Sequence, residues 1–125
     1  MNLNQVTIPS IDLARSVSFY KKLGMKLIVD ALPRYARFEC PDGDATFSIH
    51  LVNELPLGTG IILYFECEDL NSQVTQLKEN NIIFETPPTE QTWLWTEAHL
   101  KDPDNNQVIL YHAGENRKNP PWRIN

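Results

Sequence analysis

The chain has 125 residues, 42% of them hydrophobic and 22% charged, which is ordinary for a globular domain with a hydrophobic core. Its net charge of −5 argues against a general nucleic-acid binder, because such a protein needs a basic face to neutralise phosphates. No apolar run approaches the length that spans a bilayer, and the first residues lack the pattern of a secretory signal. The two cysteines, Cys40 and Cys67, have no CxxC spacing, which favours free thiols. We therefore expect one cytoplasmic domain over residues 1–125, with neither nucleic-acid nor membrane partners.

The first half of the chain reads as a strand, a helix and three further strands. Residues 4–9 alternate in polarity and stop at Pro9. A helical pattern of apolar residues then runs to Gly24, a typical residue after a helix end. Ser10 and Asp12 are both candidates for the helix cap. The three strands that follow are predicted at residues 25–31, 35–40 and 45–52.

The second half follows the same order. Residues 61–67 read as a strand, and Asp69 begins a helix that ends at Asn80 and Asn81. Further strands are predicted at residues 82–86, 92–100 and 107–113. Residues 102–106 form the turn between the last two.

The two halves match each other at one constant offset. In that register Asp12 aligns with Asp69 and Val17 with Val74, and both halves close on a Pro-Asp turn before the last strand. Such a repeat decides the architecture, because each copy needs its partner to bury its face. We predict an α+β fold of two tandem βαβββ modules. Module one is expected at about 4–53, module two at about 60–113 and a polar tail at 114–125, with Trp122 anchoring the tail.

Three motifs in order carry a resemblance to a known family. They are a D-L pair at the start of the first helix, S-x-x-F-Y-x-x-L-G over residues 16–24, and D-P-D-x-N over residues 102–106. Over residues 4–113 the chain resembles the vicinal oxygen chelate superfamily, which includes glyoxalase I, bleomycin-resistance proteins and extradiol dioxygenases. The resemblance implies a homodimer. It also implies that the two modules form a half-open, barrel-like curved sheet around a ligand or metal, with the helices on the outside.

The same resemblance locates the positions of a metal site. In metal-dependent members four ligands come from strands one and four of each module. The corresponding positions in this chain are Gln5, one of Ser48 or His50, Ile62 and Ile109. A divalent ion needs three or four protein donors, and isoleucine is not one. We therefore expect no full metal site and no resident cofactor. If a divalent metal binds, Gln5 and His50 are its expected donors.

Alternation along the strands separates an apolar face from a mixed polar and aromatic face. The apolar faces are expected to pack under the helices, and the mixed faces to form the wall that contacts a ligand. The predicted ligand-contacting residues are Gln5, Thr7, Ser48, His50, Tyr64, Glu66, Trp93, Trp95 and Tyr111.

The segment 92–100 has two indoles followed by a carboxylate and an imidazole. Trp93 and Trp95 could stack a planar ligand, or they could fill the cup or a dimer interface. If His50, Glu97 and His99 converge, they could act as general acid and base. They are therefore the candidate catalytic residues.

The sequence leaves the role of two arginines open. Arg34 and Arg37 could pair with an anionic substrate group or simply be solvated at the surface.

The sequence also leaves three functions open. In the first, the chain is a metal-free or metal-poor protein that binds a small, planar or amphipathic molecule, like the bleomycin-resistance proteins. The alternative is a divalent-metal-dependent lyase, isomerase or dioxygenase with an altered ligand set. A third is an interaction module whose cup is occupied by protein.

Overall fold

The structure is a computed structural model that describes residues 1–58 and 60–124, and it confirms the α+β class and the two tandem βαβββ modules. Module one consists of β1 (Gln5–Ser10), α1 (Leu13–Leu23), β2 (Lys26–Ala31), β3 (Tyr35–Glu39) and β4 (Thr46–Leu51). Module two consists of β5 (Ile62–Glu66), α2 (Leu70–Glu79), β6 (Thr89–Glu90), β7 (Thr96–Lys101) and β8 (Gln107–His112). A short 3₁₀ helix, Gly114–Arg117, follows. No helix in the described ranges is both long enough and apolar enough to cross a membrane.

Each module folds its strands into one four-stranded mixed sheet. The strand order is β1-β4-β3-β2 in module one and β5-β8-β7-β6 in module two. In both sheets the first and last strands of the module pair in parallel, and the other neighbours are antiparallel. The chain divides into two compact units, residues 1–61 with 102–106, and residues 62–101 with 107–125. That the whole chain acts as one domain stays a prediction.

The two helices begin in the same way, as the repeat predicts. The Asp12 carboxylate accepts a hydrogen bond from the backbone N–H of Arg15 at 3.2 Å, and the Asp69 carboxylate accepts one from Ser72 at 3.1 Å. Each cap satisfies an N–H that the first turn leaves without a partner, which contributes about 1 kcal/mol. Asp12, and not Ser10, is therefore the cap of α1. That helix ends at Gly24, whose left-handed backbone (φ 112°) suits a residue without a Cβ.

The core of module one lies between α1 and one side of its sheet. Tyr20 from α1 packs edge-on against Phe47 with ring centroids 4.8 Å apart, and Phe47 stacks on Phe38 at 5.1 Å. Ile8 and Ile49 complete this side, and all five side chains are buried. The alternate residues of β1, β3 and β4 therefore point to the other side of the sheet.

The core of module two is aliphatic. The buried residues of α2 are Leu70, Val74 and Leu77. Those of one side of the sheet are Leu63, Ala98, Leu100, Val108 and Leu110. Helix α2 packs against β8, so this aliphatic side is the side that carries the helix. The opposite side carries Tyr64, Glu97 and Tyr111, as strand alternation predicts.

The turn 102–106 belongs to the compact unit of module one, where its carboxylates bond side chains along α1 and the backbone just before it. Asp102 accepts hydrogen bonds from Tyr20 Oη at 2.8 Å and from two groups of Asn106, both at 2.8–2.9 Å. Asp104 accepts from Ser16 Oγ at 2.5 Å and from the backbone N–H of Ile11 at 3.1 Å. The D-P-D-x-N motif is therefore a structural motif, since its buried carboxylates satisfy donors of module one.

Three local predictions are wrong. Residues 82–86 form no strand, because Asn81 adopts a left-handed backbone (φ 65°) and turns the chain after α2. The second strand of module two is instead the two-residue β6. Likewise β7 begins at Thr96 and not at residue 92, since Leu94 is left-handed (φ 68°) and closes a turn with Gln91. Trp122 is 56% exposed and does not anchor the tail.

Candidate functional site

Three aromatic side chains meet on the side of the module-two sheet that faces away from α2. The rings of Trp95 and Tyr111 stack at 4.6 Å with a 19° tilt between their planes. Tyr64 stands edge-on to both, with its centroid 5.8 Å from Trp95 and 5.6 Å from Tyr111. Tyr111 is buried, whereas 47% of Tyr64 is exposed. A stacked pair with a perpendicular third ring thus presents aromatic surface to solvent, and we call this side, with Glu97 and His99, the aromatic face.

A buried carboxylate lies beside these rings. Glu97 is 1% exposed, and its Oε2 accepts a hydrogen bond from the indole Nε1 of Trp93 at 2.8 Å. Its Oε1 lies 2.8 Å from Nε2 of His99, and 33% of the His99 side chain is exposed. Burying a carboxylate is costly unless it is hydrogen-bonded, and here the indole and the imidazole satisfy it. The pair holds the imidazole in one orientation, with Nδ1 on its far side.

The other predicted carboxylate of this face serves a structural contact. Oε2 of Glu66 accepts hydrogen bonds from the backbone N–H groups of Ala113 and Gly114 at 2.7 and 2.9 Å. Its Oε1 lies 3.7 Å from Nε of Arg117. Glu66 therefore ties the segment after β8 to the sheet, and it flanks Tyr111, its register partner on β8.

The environment of the aromatic face raises the pKa of two phenols, Tyr64 and Tyr111. Burial, and then the charge of Glu97, raises the pKa of Tyr64 above its ordinary value. Burial, and then the charge of Glu66, raises the pKa of Tyr111. Both phenols therefore stay protonated, and act as neutral hydrogen-bonding groups, at pH values where an ordinary tyrosine begins to ionise.

The module-one sheet has a polar network on the side that faces away from α1. Gln5 Nε2 donates to Ser48 Oγ at 2.6 Å, and Ser48 Oγ lies 2.6 Å from the hydroxyl of Tyr35. Nε of Arg37 donates to that same hydroxyl at 2.9 Å. His50 follows two residues after Ser48 on the same side of β4. We call these five side chains the polar face.

The polar network lowers the pKa of its phenol, Tyr35, whereas the aromatic face raises the pKa of Tyr64 and Tyr111. The hydrogen bond with Ser48 is the largest cause that lowers the pKa of Tyr35, and the hydrogen bond and charge of Arg37 act in the same direction. Burial opposes them. Donors that point at a phenol oxygen stabilise its charged form, which is the physical reason for the direction.

The positions inherited from metal-dependent relatives do not fit a divalent ion. Ile62 and Ile109 have no donor atom, and the Gln5 side chain already bonds Ser48 and Thr46. His50 lies four residues beyond Thr46, the register partner of Gln5, or about 13 Å along the strand. Within residues 1–58 and 60–124, no group of three His, Cys, Asp or Glu residues is arranged to hold an ion.

The structure brings most of the predicted residues together within their own modules. In module two these are Tyr64, Trp95 and Tyr111, and separately Trp93, Glu97 and His99. In module one they are Gln5 and Ser48, with Thr7 exposed beside Ser48 and His50 further along β4. Tyr35 was missed. Its alternation with Arg37 along β3 was the available signal, because residues i and i+2 share a sheet face.

Comparison with known proteins agrees with this architecture. A model of the Glyoxalase/Bleomycin resistance protein/Dioxygenase superfamily matches residues 2–110. A glyoxalase/bleomycin resistance protein/dioxygenase from Nocardioides has a similar structure, with a TM-score of 0.79 and 20% identity over 100% of this chain and 90% of that one.

Two other solved structures have the same fold. A bleomycin-binding protein complexed with bleomycin has a TM-score of 0.74 and 23% identity, over 90% of this chain and 98% of that one. A lactoylglutathione lyase from Agrobacterium tumefaciens has a TM-score of 0.74 and 16% identity, over 89% of this chain and 92% of that one. The comparison with curated proteins finds no significant match.

Proposed function

This chain belongs to the glyoxalase/bleomycin resistance protein/dioxygenase superfamily, and we propose that it binds a small planar or amphipathic molecule on the aromatic face, without a full metal site. The observation that carries the proposal is the stacked Trp95–Tyr111 pair with Tyr64 edge-on beside it. A planar ligand could extend the stack, and the perpendicular ring would limit its lateral position.

The exposure of the aromatic side chains supports a ligand at this place. Tyr64 and Trp93 are 47% and 44% exposed, so a bound molecule would remove aromatic surface from water. At roughly 25 cal/mol per Å², covering 150 Å² of apolar surface stabilises a complex by about 4 kcal/mol before the cost of association. The structural neighbour crystallised with bleomycin shows that this fold can hold a small molecule.

The donor set supports binding that does not depend on a metal. Two of the four inherited ligand positions are isoleucine, and the Gln5 side chain is hydrogen-bonded to its neighbours on β4. The proposal also includes a homodimer, which the resemblance to the superfamily favours, and a cytoplasmic location, which two cysteines outside any disulfide, Cys40 and Cys67, favour.

The experiment is a binding titration by tryptophan fluorescence and calorimetry. Bleomycin and uncharged, cationic and anionic naphthalene derivatives serve as probes. We expect at least one probe to bind, and Trp95→Ala to weaken it about tenfold, because a stacked ring is lost. Trp122→Ala is the matched control, since that indole is 56% exposed on the tail, and its affinity is expected to stay within twofold of wild type.

A second variant separates loss of binding from loss of structure. Trp95→Phe keeps a ring against Tyr111, so it should fold and weaken binding less than Trp95→Ala does. Equal affinities of the Trp95→Ala and Trp122→Ala proteins would contradict the proposal. So would the failure of every probe to bind the folded wild-type protein.

One observation favours a second candidate function, which is metal-independent proton transfer. The buried Glu97 carboxylate holds Nε2 of His99, and this leaves Nδ1 as the atom that could accept a proton from a bound molecule. Any turnover of a bound probe should then be lost in His99→Gln and retained in His112→Gln, whose imidazole is bonded to the Cys67 carbonyl. Turnover that survives His99→Gln would exclude this function.

A further inference from the structure

The polar face of module one arranges four side chains as a compact block. In the antiparallel register of β3 and β4, Tyr35 lies opposite His50, and Arg37 lies opposite Ser48. Side chains directly opposite on one face have Cβ atoms about 5 Å apart. The block therefore collects a phenol, an imidazole and a guanidinium around one buried hydroxyl.

The hydrogen bonds of this block have a direction that follows from the burial of Ser48. Gln5 Nε2 can only donate, so Ser48 Oγ accepts from it. Ser48 is 0% exposed, and its own hydrogen therefore needs a protein acceptor, which the Tyr35 oxygen 2.6 Å away provides. Arg37 Nε also donates to that oxygen. Because the Tyr35 oxygen already accepts twice, its own hydrogen points away from Ser48 and Arg37.

Arg37 is held in place and still has donors to spare. Its guanidinium carbon lies 5.5 Å from the centroid of the Tyr35 ring, and its Nε is used by the Tyr35 hydroxyl. Its two terminal nitrogens have no hydrogen-bond or ion-pair partner among residues 1–58 and 60–124. The acidic neighbour on β3, Glu39, instead lies 3.8 Å from Lys26. An oriented guanidinium with two unused nitrogens suits the two oxygens of a carboxylate or phosphate.

We propose that this block is a binding site for a small oxyanion, a carboxylate or a phosphate monoester. The terminal nitrogens of Arg37 hold the anion, the hydroxyl of Tyr35 donates to it, and the exposed imidazole of His50 lies within the same block. The site is on module one, so it goes beyond the function proposed for the aromatic face.

The net charge of the chain helps to separate anion binding at one site from general electrostatic attraction. With a net charge of −5 the protein repels anions on average, so an anion retained at moderate salt must be held by local donors. The sequence also offers a matched control three residues away. Arg34 is exposed in the turn between β2 and β3, and removing its charge changes the net charge by the same amount.

The test measures binding of acetate and, separately, inorganic phosphate by calorimetry at constant ionic strength. We expect at least one of them to bind wild-type protein, and Arg37→Gln to weaken it about tenfold or more, as for loss of a charged hydrogen-bonding partner. Arg34→Gln should stay within about twofold of wild type. Tyr35→Phe should weaken binding several-fold, and Arg37→Lys should restore only part of the lost affinity because it lacks the planar fork.

The affinities of the variants distinguish a defined anion site from diffuse electrostatic attraction. Equal losses in Arg37→Gln and Arg34→Gln would mean diffuse electrostatics and would overturn the site, as would the failure of both anions to bind wild-type protein. Circular dichroism and the melting temperature confirm that the Arg37 variants are folded. The outcome is separable from the function proposed for module two, because Trp95→Ala should bind the anion as wild type does.

Discussion

The sheets of the two modules have the same strand order and carry different chemistry on the sides that face away from their helices. Module one presents a connected set of hydrogen-bond donors, with Arg37 and Tyr35 at its exposed end. Module two presents stacked aromatic rings beside a buried carboxylate, Glu97. The helix-facing sides are close-packed hydrophobic cores, whereas the other sides combine buried and exposed polar and aromatic side chains. The two modules thus share one strand order and carry different side chains on the sides that face away from their helices.

The turn before the last strand also differs between the two modules, in the burial and hydrogen bonding of its aspartates. Asp102 is buried and accepts four hydrogen bonds, from Tyr20, from the backbone of Asp104 and from two groups of Asn106. Asp104, which follows Pro103, is also buried and accepts from Ser16 and Ile11, whereas Asp42, which follows Pro41 in the turn of module one, is exposed. The same Pro-Asp signal in the sequence therefore has a structural role in only one copy.

The largest expected effect comes from removing that buried carboxylate. Asp102→Ala leaves buried donors of Tyr20 and of the turn without an acceptor, and should lower the free energy of unfolding by about 3 kcal/mol. Asp42→Ala, which removes an exposed carboxylate from the turn of module one, should change it by less than about 0.5 kcal/mol. Urea unfolding of the two variants measures both values. Similar values for the two variants would break the distinction between the turns.

A smaller effect distinguishes the phenols of the two faces. The pKa of Tyr35 is lowered, chiefly by its bond with Ser48, and the pKa of Tyr64 is raised, chiefly by burial. An alkaline titration followed by phenolate absorbance should therefore lose its earliest-titrating phenol in Tyr35→Phe. In Tyr64→Phe it should lose a later one. If Tyr64 ionises before Tyr35, the assigned environments are wrong.

The same shifts have opposite consequences for stability. Tyr35 loses its proton first in the folded state, so its contribution to the free energy of unfolding rises with pH between its folded pKa and the ordinary value of 10.0. Tyr64 loses its proton first in the unfolded state, so its contribution falls as the pH rises above 10.0. Urea unfolding of the two phenylalanine variants across this range gives the sign of each contribution.

Most of the fold was predictable because its signals are local and repeated. The aspartates at positions 12 and 69 begin both helices, and alternation assigns the correct side to Tyr64, Glu97 and Tyr111. The strand predicted at residues 82–86 failed for a physical reason. Its apolar residues suit a strand, and the left-handed backbone at Asn81 overrides that preference.

The site was less predictable, because a pairing depends on which strands are neighbours. Trp95 and Tyr111 lie on different strands, and their stacking follows from the β7–β8 pairing and not from either segment alone. The Gln5–Ser48–Tyr35 chain joins three strands in the same way. The sequence therefore predicts on which side of the sheet a side chain lies. It does not predict which side chain of a neighbouring strand it contacts.

The central claim is that the aromatic face of module two is the ligand-binding surface. The most direct measurement is ¹⁹F NMR of protein labelled with 5-fluorotryptophan, since the chain has 3 tryptophans. Adding a probe that binds should shift the resonances of Trp95 and Trp93 and leave that of Trp122 unchanged, with each resonance assigned by its phenylalanine variant. A probe that binds and shifts only Trp122, or none of the three, would contradict the claim.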